Sequence, residues 1–364
     1  MSAPVFISTD VAALTADIIT QYEALAGVTL QPAQAERLII DVLAYREGLL
    51  RSSIQGAAEQ MLVSFANAPM LDYLGELVGV LRLPAAPAEV DLEFTLGVHT
   101  GVTIPAGTRV TTTDGLVIFA TNEAANVLSG VTSATVAASC LTAGEAGNGY
   151  TAGTVNVIMD VQAFLTSVTT SDTTAGGADA ETDEALRTRI KLASGQYSNA
   201  GSVGAYKYWT ISASPAIIDA AIISPGDGEV EVYPLMGDGS ATPSPVLTAV
   251  ETALNSDTVR PLTDLVTVIA PTRTTYTLDV ELILYDTADI DTVTAQVEDA
   301  LDTFVLAKRS RLGLDIILSS IHAAATVTGV YSVEVVGWTD IICVETEFAY
   351  CTAITVSVTS QVAG

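Results

Sequence analysis

Only two residues in the chain, His99 and His322, could serve as an imidazole base or metal ligand near neutral pH. A Ser-His-Asp or Cys-His relay would have to be built on one of them. No H-E-x-x-H pattern and no G-x-S-x-G elbow occurs. His99 falls in a β segment or its turn, and His322 falls on a helix with no partner at metal-ligand spacing. Both read as structural histidines. The run Gly147-Asn148-Gly149-Tyr150-Thr151-Ala152-Gly153 resembles a phosphate-cradling loop in composition alone. Such a loop needs a helix N-terminus behind it, because the helix amides hold the phosphate. Here Thr154-Val155-Asn156-Val157-Ile158 follows, and it reads as a strand. The run is therefore expected to be a turn with positive-φ positions.

Asp179, Glu181, Asp183 and Glu184 cluster, but the D-x-D-x-D-G register of a calcium loop is missing. They read as acids at a helix start. Paired carboxylates for glycoside hydrolysis carry no signal in a chain with 42 Asp+Glu, where some pair always lies close. Trp209 and Trp338 are too few for a sugar platform. Cys140, Cys343 and Cys351 show no C-x-x-C spacing. Cys343 and Cys351 could close across a hairpin, but the odd total favours buried reduced thiols. The residues thus name no catalytic, cofactor or metal site, and a non-enzymatic role is expected.

Composition narrows the partners. The 364 residues carry 14 Lys+Arg against 42 Asp+Glu, a net charge of −28. Nucleic-acid binding needs clustered cations, and the longest basic cluster is Lys308-Arg309-Ser310-Arg311. Nucleic acid is excluded as a primary partner, and an anionic membrane surface would repel the chain. Hydrophobic residues make up 49% while charged ones make up only 15%, against roughly 25% in an average soluble protein. Two explanations fit together: partner proteins cover part of the surface, and Thr/Ser-rich strands supply the rest. Met-Ser-Ala-Pro at the start has neither a basic nor an apolar leader segment, and no run of about 18 apolar residues exists. Synthesis in the cytoplasm without general secretory export, and without membrane insertion, is expected.

The length suits several domains, and the pattern predicts a multidomain α+β protein. Residues 1–84 read as a helical region for bundle or partner contacts. Thr9 and Asp10 cap a first helix that Gly27 stops. Pro32 is expected in the first turn of a second, about 30 residues long and about 45 Å at 1.5 Å per residue. Ile39, Leu43, Leu50, Ile54, Ala57, Met61 and Phe65 form one stripe on it, and Leu38, Val42 and Leu49 a second beside it. Leu38, Ile39, Val42, Leu43, Leu49, Leu50, Ile54 and Met61 are the candidate interface residues. Either other chains cover these stripes, or helices one and three do. Pro69 opens a third helix with Leu71, Leu74, Leu77, Val78 and Leu81 expected on its buried face.

Residues 85–175 switch to period two, rich in Thr and Val, and read as an antiparallel β module. Residues 176–262 read as a mixed middle module. In it a helix begins at Asp183, with acids first and Arg187, Arg189 and Lys191 further on to suit the helix dipole. A hairpin turns around Pro225-Gly226-Asp227-Gly228. Residues 263–364 read as a second mixed module with helices over 291–306 and 314–326, a late strand over 353–358, and helices on one face.

Read in order, several pieces together resemble the baseplate J-like family, wedge subunits of contractile phage tails and related injection machines. They are Ile104-Pro105-Ala106-Gly107-Thr108-Arg109-Val110, Asp114-Gly115, Phe119-Ala120-Thr121, Ala143-Gly144-Glu145-Ala146-Gly147-Asn148, Ala152-Gly153-Thr154-Val155 and Gly176-Gly177-Ala178-Asp179-Ala180-Glu181-Thr182-Asp183-Glu184. Arg187, Arg189-Ile190, Val259-Arg260-Pro261-Leu262, the 313–317 segment and Gly329-Val330 continue the rhythm over 85–335. The tail at 338–364 and the low lysine content depart from it. The resemblance implies a structural virion component of the tail baseplate, assembled in the host cytoplasm. It would contact copies of itself, other wedge proteins, and hub and sheath-initiating proteins, and change shape on contraction. It implies no catalytic residues and no cofactor. Gly107, Gly115, Gly147, Asn148 and Gly153 are expected to shape backbone turns. Leu83-to-Pro87 and Thr173-to-Ala178 are the candidate flexible joints. The alternative reading, a β-rich surface adhesin or glycan-binding module, calls for an export signal and clustered exposed aromatics.

Overall fold

The computed structural model describes residues 2–197, 201–256, 259–261 and 263–363. Leu262, named above, lies outside them. The chain divides into two units, residues 1–82 with 186–191, and residues 83–185 with 192–364.

The first unit is helical. Helix α1, Val11–Ala26, starts because Asp10 accepts from the amides of Ala12 and Ala13, and stops where Gly27 turns left-handed at φ +69°. Helix α2, Ala35–Glu59, is 25 residues, not about 30, so Pro32 precedes it rather than opening it. It pairs with α1 along a thin seam of Ile40, Ala44 and Gly48 with Leu14. Gly48 lets the helices approach: a Cβ there would sit 2.7 Å from Val11 Cγ2. Helix α3, Met70–Glu76, is shorter than its apolar spacing suggests. Leu71 is fully buried, but Leu77 and Leu81 lie beyond its end and are 80% and 67% exposed, correcting the expected buried face. The 186–191 part of helix α4, Asp183–Leu192, completes this unit, with Ile190 against Gly75.

The second unit holds three sheet systems. Strands β1 (Glu89–Leu96), β2 (Val102–Ile104), β3 (Arg109–Thr112), β4 (Ile118–Thr121), β5 (Ala125–Val127), β6 (Ser133–Cys140), β7 (Val155–Ile158) and β8 (Leu165–Thr170) build the first. Six of them run in the order β7-β3-β4-β6-β1-β8, with β7 and β8 coming back against each other as a nearly closed barrel. The β2–β5 ribbon covers it. Alternation along β1 sends Val90, Leu92, Phe94 and Leu96 inward and Glu89, Asp91 and Glu93 outward.

A middle layer follows: helix α5 (Val203–Ala213), strands β9 (Ile217–Ile223) and β10 (Glu229–Met236), helix α6 (Ser244–Leu254) and strand β11 (Leu265–Val268). Its sheet runs β11-β10-β9, the β9–β10 pair being the hairpin read from Pro225-Gly226-Asp227-Gly228. The last layer is strand β12 (Thr272–Tyr285), helix α7 (Ile290–Arg309), helix α8 (Leu318–Ala325), strand β13 (Val330–Val335) and strand β14 (Glu347–Val362). Val293, Val297, Leu301 and Val305 of α7, which lies against β14, share one core with the alternating Leu278, Val280, Leu282 and Leu284 of β12. Two readings change here. Helix α8 starts at Leu318 rather than 314, because Ile316 pairs instead with Ile341 across a bridge. Strand β14 is 16 residues long rather than six, because it tracks the whole of β12 in parallel.

Candidate assembly surface and the motifs that shape the barrel

The candidate interface begins with what α1 fails to cover. A helix presents about three neighbouring faces, and one partner helix buries only one. On α2 that face is Ile40, Ala44 and Gly48. The two expected stripes point elsewhere: Leu38, Ile39, Val42, Leu43, Leu49, Leu50 and Ile54 are each between 48% and 63% exposed. Tyr45 joins them, and sequence reasoning missed it. The ion pairs Arg37–Asp41 and Glu47–Arg51 stay within α2. Gln55 holds an N-terminal strap: its Oε1 accepts from the amides of Phe6 and Ile7, and its Nε2 donates to Pro4 O.

Met61 is exposed but is not on the helix, which ends at Glu59. The four-residue spacing through Ala57, Met61 and Phe65 suggested continuity. A tertiary clamp overrides it: Arg187 donates from Nε to Val63 O (2.9 Å) and from a terminal nitrogen to Ala66 O (2.7 Å). Arg189 donates to Leu81 O at 2.5 Å. Both arginines are buried. They clamp carbonyls, and Arg189 also stands with Lys191 in the last turn of α4, where the dipole reading puts a cation. The acids are corrected too. Glu181 is buried and accepts from Leu83 N (2.9 Å), Asp179 accepts from Glu145 N (3.1 Å), and Thr182 rather than an acid accepts from Ala185 N. Asp183 and Glu184 do lie in the first turn of α4.

The barrel motifs resolve into backbone chemistry. Pro105 O accepts both the Thr108 and Thr121 hydroxyls at 2.8 Å, and Gly107, at φ +78°, donates to Thr121 O. Arg109 donates from its amide, Nε and a terminal nitrogen to Asp160, holding that carboxyl down to about 2 through the hydrogen bonds and then the charge. At the β3–β4 turn, Gly115 is left-handed and Asp114 accepts from the Thr112 hydroxyl and Leu116 N. Gly149 and Gly153 are also left-handed.

Gly147 and Asn148 belong to one short turn, which Asn148 caps by donating its backbone amide to Glu145 O, and neither is left-handed. Gly147 sits in a single 3-10 turn, Glu145–Gly147, and Asn148 is extended at φ −82°. Gly147 is needed for closeness: a Cβ would lie 2.8 Å from Ala88 Cβ and 3.1 Å from Cys140 Sγ. Asn148 also clamps Gly177, donating from Nδ2 to its carbonyl (2.8 Å) and accepting its amide at Oδ1 (2.9 Å). The candidate joints are likewise tied together. Ala86 and Ala178 exchange both backbone hydrogen bonds, as do Glu89 and Ala175, and Thr174 and Ala178 are buried. They form a cross-linked pair of segments rather than free joints.

A cleft of about 620 Å³ beside these segments is lined by Asn148, Thr174, Gly177, Asp179, Ile218 and Asp238 among others, with no histidine, cysteine, lysine or arginine on its wall. His99 is engaged in a turn, its Nε2 2.9 Å from Val131 O and its Nδ1 accepting from Gly101 N. His322 lies half-buried on α8. No three His, Cys, Asp or Glu side chains group at metal-binding distance among the described residues. The three cysteines are free thiols, with Cys140 and Cys343 buried and Cys351 half-buried.

Four family models match in chain order. The Baseplate J-like N-terminal domain covers residues 37–89, the barrel domain 91–177, the central domain 198–270 and the C-terminal domain 276–357. The last reaches into the tail that departed from the resemblance at 338–364. Baseplate protein J of Escherichia phage P2 is 36% identical over 174 residues, 47% of this chain and 57% of that protein. The match thus spans little more than half the length of that relative. A cryo-EM structure of the anti-feeding prophage baseplate shows a loose likeness: TM-score 0.38 and 14% identity over 93% of this chain and 89% of that one. With all four domain models matched in sequence from residue 37 to residue 357, the chain belongs to the baseplate J-like family.

Proposed function

We propose that this baseplate protein is a wedge subunit of a contractile tail or related injection particle. It joins copies of itself and other wedge proteins in a ring around the hub, and its interfaces repack on contraction. The observation that carries this reading is α2. Seven large apolar side chains lie exposed along it in two neighbouring stripes, while a single thin seam holds it to α1. Burial of apolar side chains stabilises by roughly 25 cal/mol per Å² removed from water, so a helix left this bare gains most of its stabilisation from added helices. The barrel motifs spend their polar groups on backbone turns and clamps, which leaves α2 as the surface this reading rests on. A contractile ring needs subunit interfaces with two stable packings.

Coexpression with neighbouring tail proteins, followed by size-exclusion chromatography, tests this. The wild-type chain is expected to co-elute with partners. Leu43→Glu with Leu50→Glu is expected to abolish co-elution while changing the stability of the isolated chain by no more than about 0.5 kcal/mol, because both side chains already face solvent. A doubly charged α2 that still captures its partners would sink the reading.

A further inference from the structure

Strand β14 ends its sheet, whose order is β13-β12-β14, and its inner side pairs with β12 from Glu347 to Val362. Its first residues are covered: Phe348 and Ala349 are buried, Gly313 N donates to Glu347 O, and Gly239 lies against the Tyr350 ring. From Thr352 onward no strand among the described residues pairs with the outer side. Edge strands are normally blunted by lysine, proline or bulges, because bare amides and carbonyls template further pairing. Residues 348–362 contain no Asp, Glu, Lys, Arg or Pro. Bulges occur at Thr352 and Thr359, and the register between them, 353–358, is unbroken.

The core beneath this edge is unfinished. Ile354, Val356 and Val358 pack toward the same core as Leu278, Val280, Leu282 and Leu284 of β12. The β12 residues are fully buried, whereas the three on β14 are only half-buried. The uncharged edge also bears on who can approach. Two copies of a chain with net charge −28 repel each other broadly, and this edge is a stretch where they can meet without opposing like charges.

We infer that β14 pairs with β14 of a second copy, antiparallel about a two-fold axis through Val356. Only the antiparallel arrangement closes on itself with two copies. Centred on Val356, it sets Ile354 against the partner's Val358 and Val356 against the partner's Val356, all on the helix-covered face. Thr355 then faces the partner's Ser357 on the other side, since a two-fold at a residue keeps each side chain on its own face. The two sheets become one of six strands, and the half-buried apolar row is completed. This deepens the wedge reading, resting on its self-association and naming the surface.

Sedimentation velocity on the full chain over a concentration series tests it. The wild type is expected to dimerise, more tightly as salt screens its charge. Val356→Lys and Val356→Asp should each weaken the dimer by about tenfold or more, and an equimolar mixture of the two should recover it, because opposite charges then meet at the axis. Matching far-UV circular dichroism and melting curves confirm that each variant folds. Independently, Thr355→Cys with Ser357→Cys should form an interchain disulfide on oxidation that the wild type does not. This readout decides the matter if the Val356 variants do not fold. A monomeric wild type, an unaffected Val356→Lys dimer, a mixture no better than its parts, or a failed cross-link overturns the inference. A chain that stays monomeric yet co-elutes with tail proteins defeats this inference alone. A chain that neither dimerises nor co-elutes defeats the wedge reading as well.

Discussion

The barrel and the α1–α2 pair spend the same residue types in opposite ways. In β1 each Val, Leu and Phe alternates inward and is buried, Phe94 completely. On α2 the leucines and isoleucines lie in stripes, and only Ile40, Ala44 and Gly48 are covered. A sheet that curls on itself supplies both walls of its core, whereas two helices supply only one seam. Apolar content therefore does not tell a finished core from an unfinished one. The number of faces that neighbouring elements can close does.

Truncation breaks the comparison most sharply. Phe94→Ala should cost about 3–5 kcal/mol in denaturant unfolding, as expected for a fully buried aromatic ring. The next largest effect tests whether the helical unit is held by polar clamps in place of a core. Arg187→Leu removes the donor to the part-buried carbonyl of Val63 and the buried one of Ala66. It should cost about 2–4 kcal/mol, seen as an earlier loss of helical circular dichroism. Little change there would mean that the unit does not need the clamp. Gly147→Ala forces a methyl to within 2.8 Å of Ala88 Cβ, which should cost about 1–3 kcal/mol by overpacking and lower the melting temperature. The smallest effect is electrostatic. Asp160 has its carboxyl lowered to about 2 by Arg109. The folded value lies below the ordinary one of about 3.9, so the contribution is complete above about pH 4 and fades as pH falls toward 2. Asp160→Asn should flatten the acid limb of a stability-against-pH curve in that window, with the variant slightly less stable than wild type above about pH 4 and the two curves converging as pH falls toward 2.

Most of the barrel was legible. Period-two alternation places β1, and Asp114-Gly115 places the β3–β4 turn, because both signals are local. The four-residue spacing of Val293, Val297, Leu301 and Val305 marked the buried face of α7 for the same reason. The misreadings share a cause as well. Met61 and Leu77 continue a helical spacing past helices that end at Glu59 and Glu76. Asn148 does cap a short turn, but no local signal announces that its side-chain amide also clasps Gly177, 29 residues away. Arg187 and Arg189 were placed by the helix dipole alone, which tells nothing of their burial or of the distant carbonyls they clamp. Each depends on a partner distant in sequence, where no spacing rule reaches.

By itself the sequence determined the net charge of −28, the order of modules, the turn chemistry of the barrel and the apolar stripes of α2. These follow from residue type and from neighbours within a few positions. Only the tertiary structure decided which stripe of α2 meets α1, that the two glycine- and proline-rich segments are bonded to each other, and that β14 runs its full length along a sheet edge. Those outcomes depend on which backbone groups and faces remain after long-range partners are satisfied, and a linear pattern does not specify that competition.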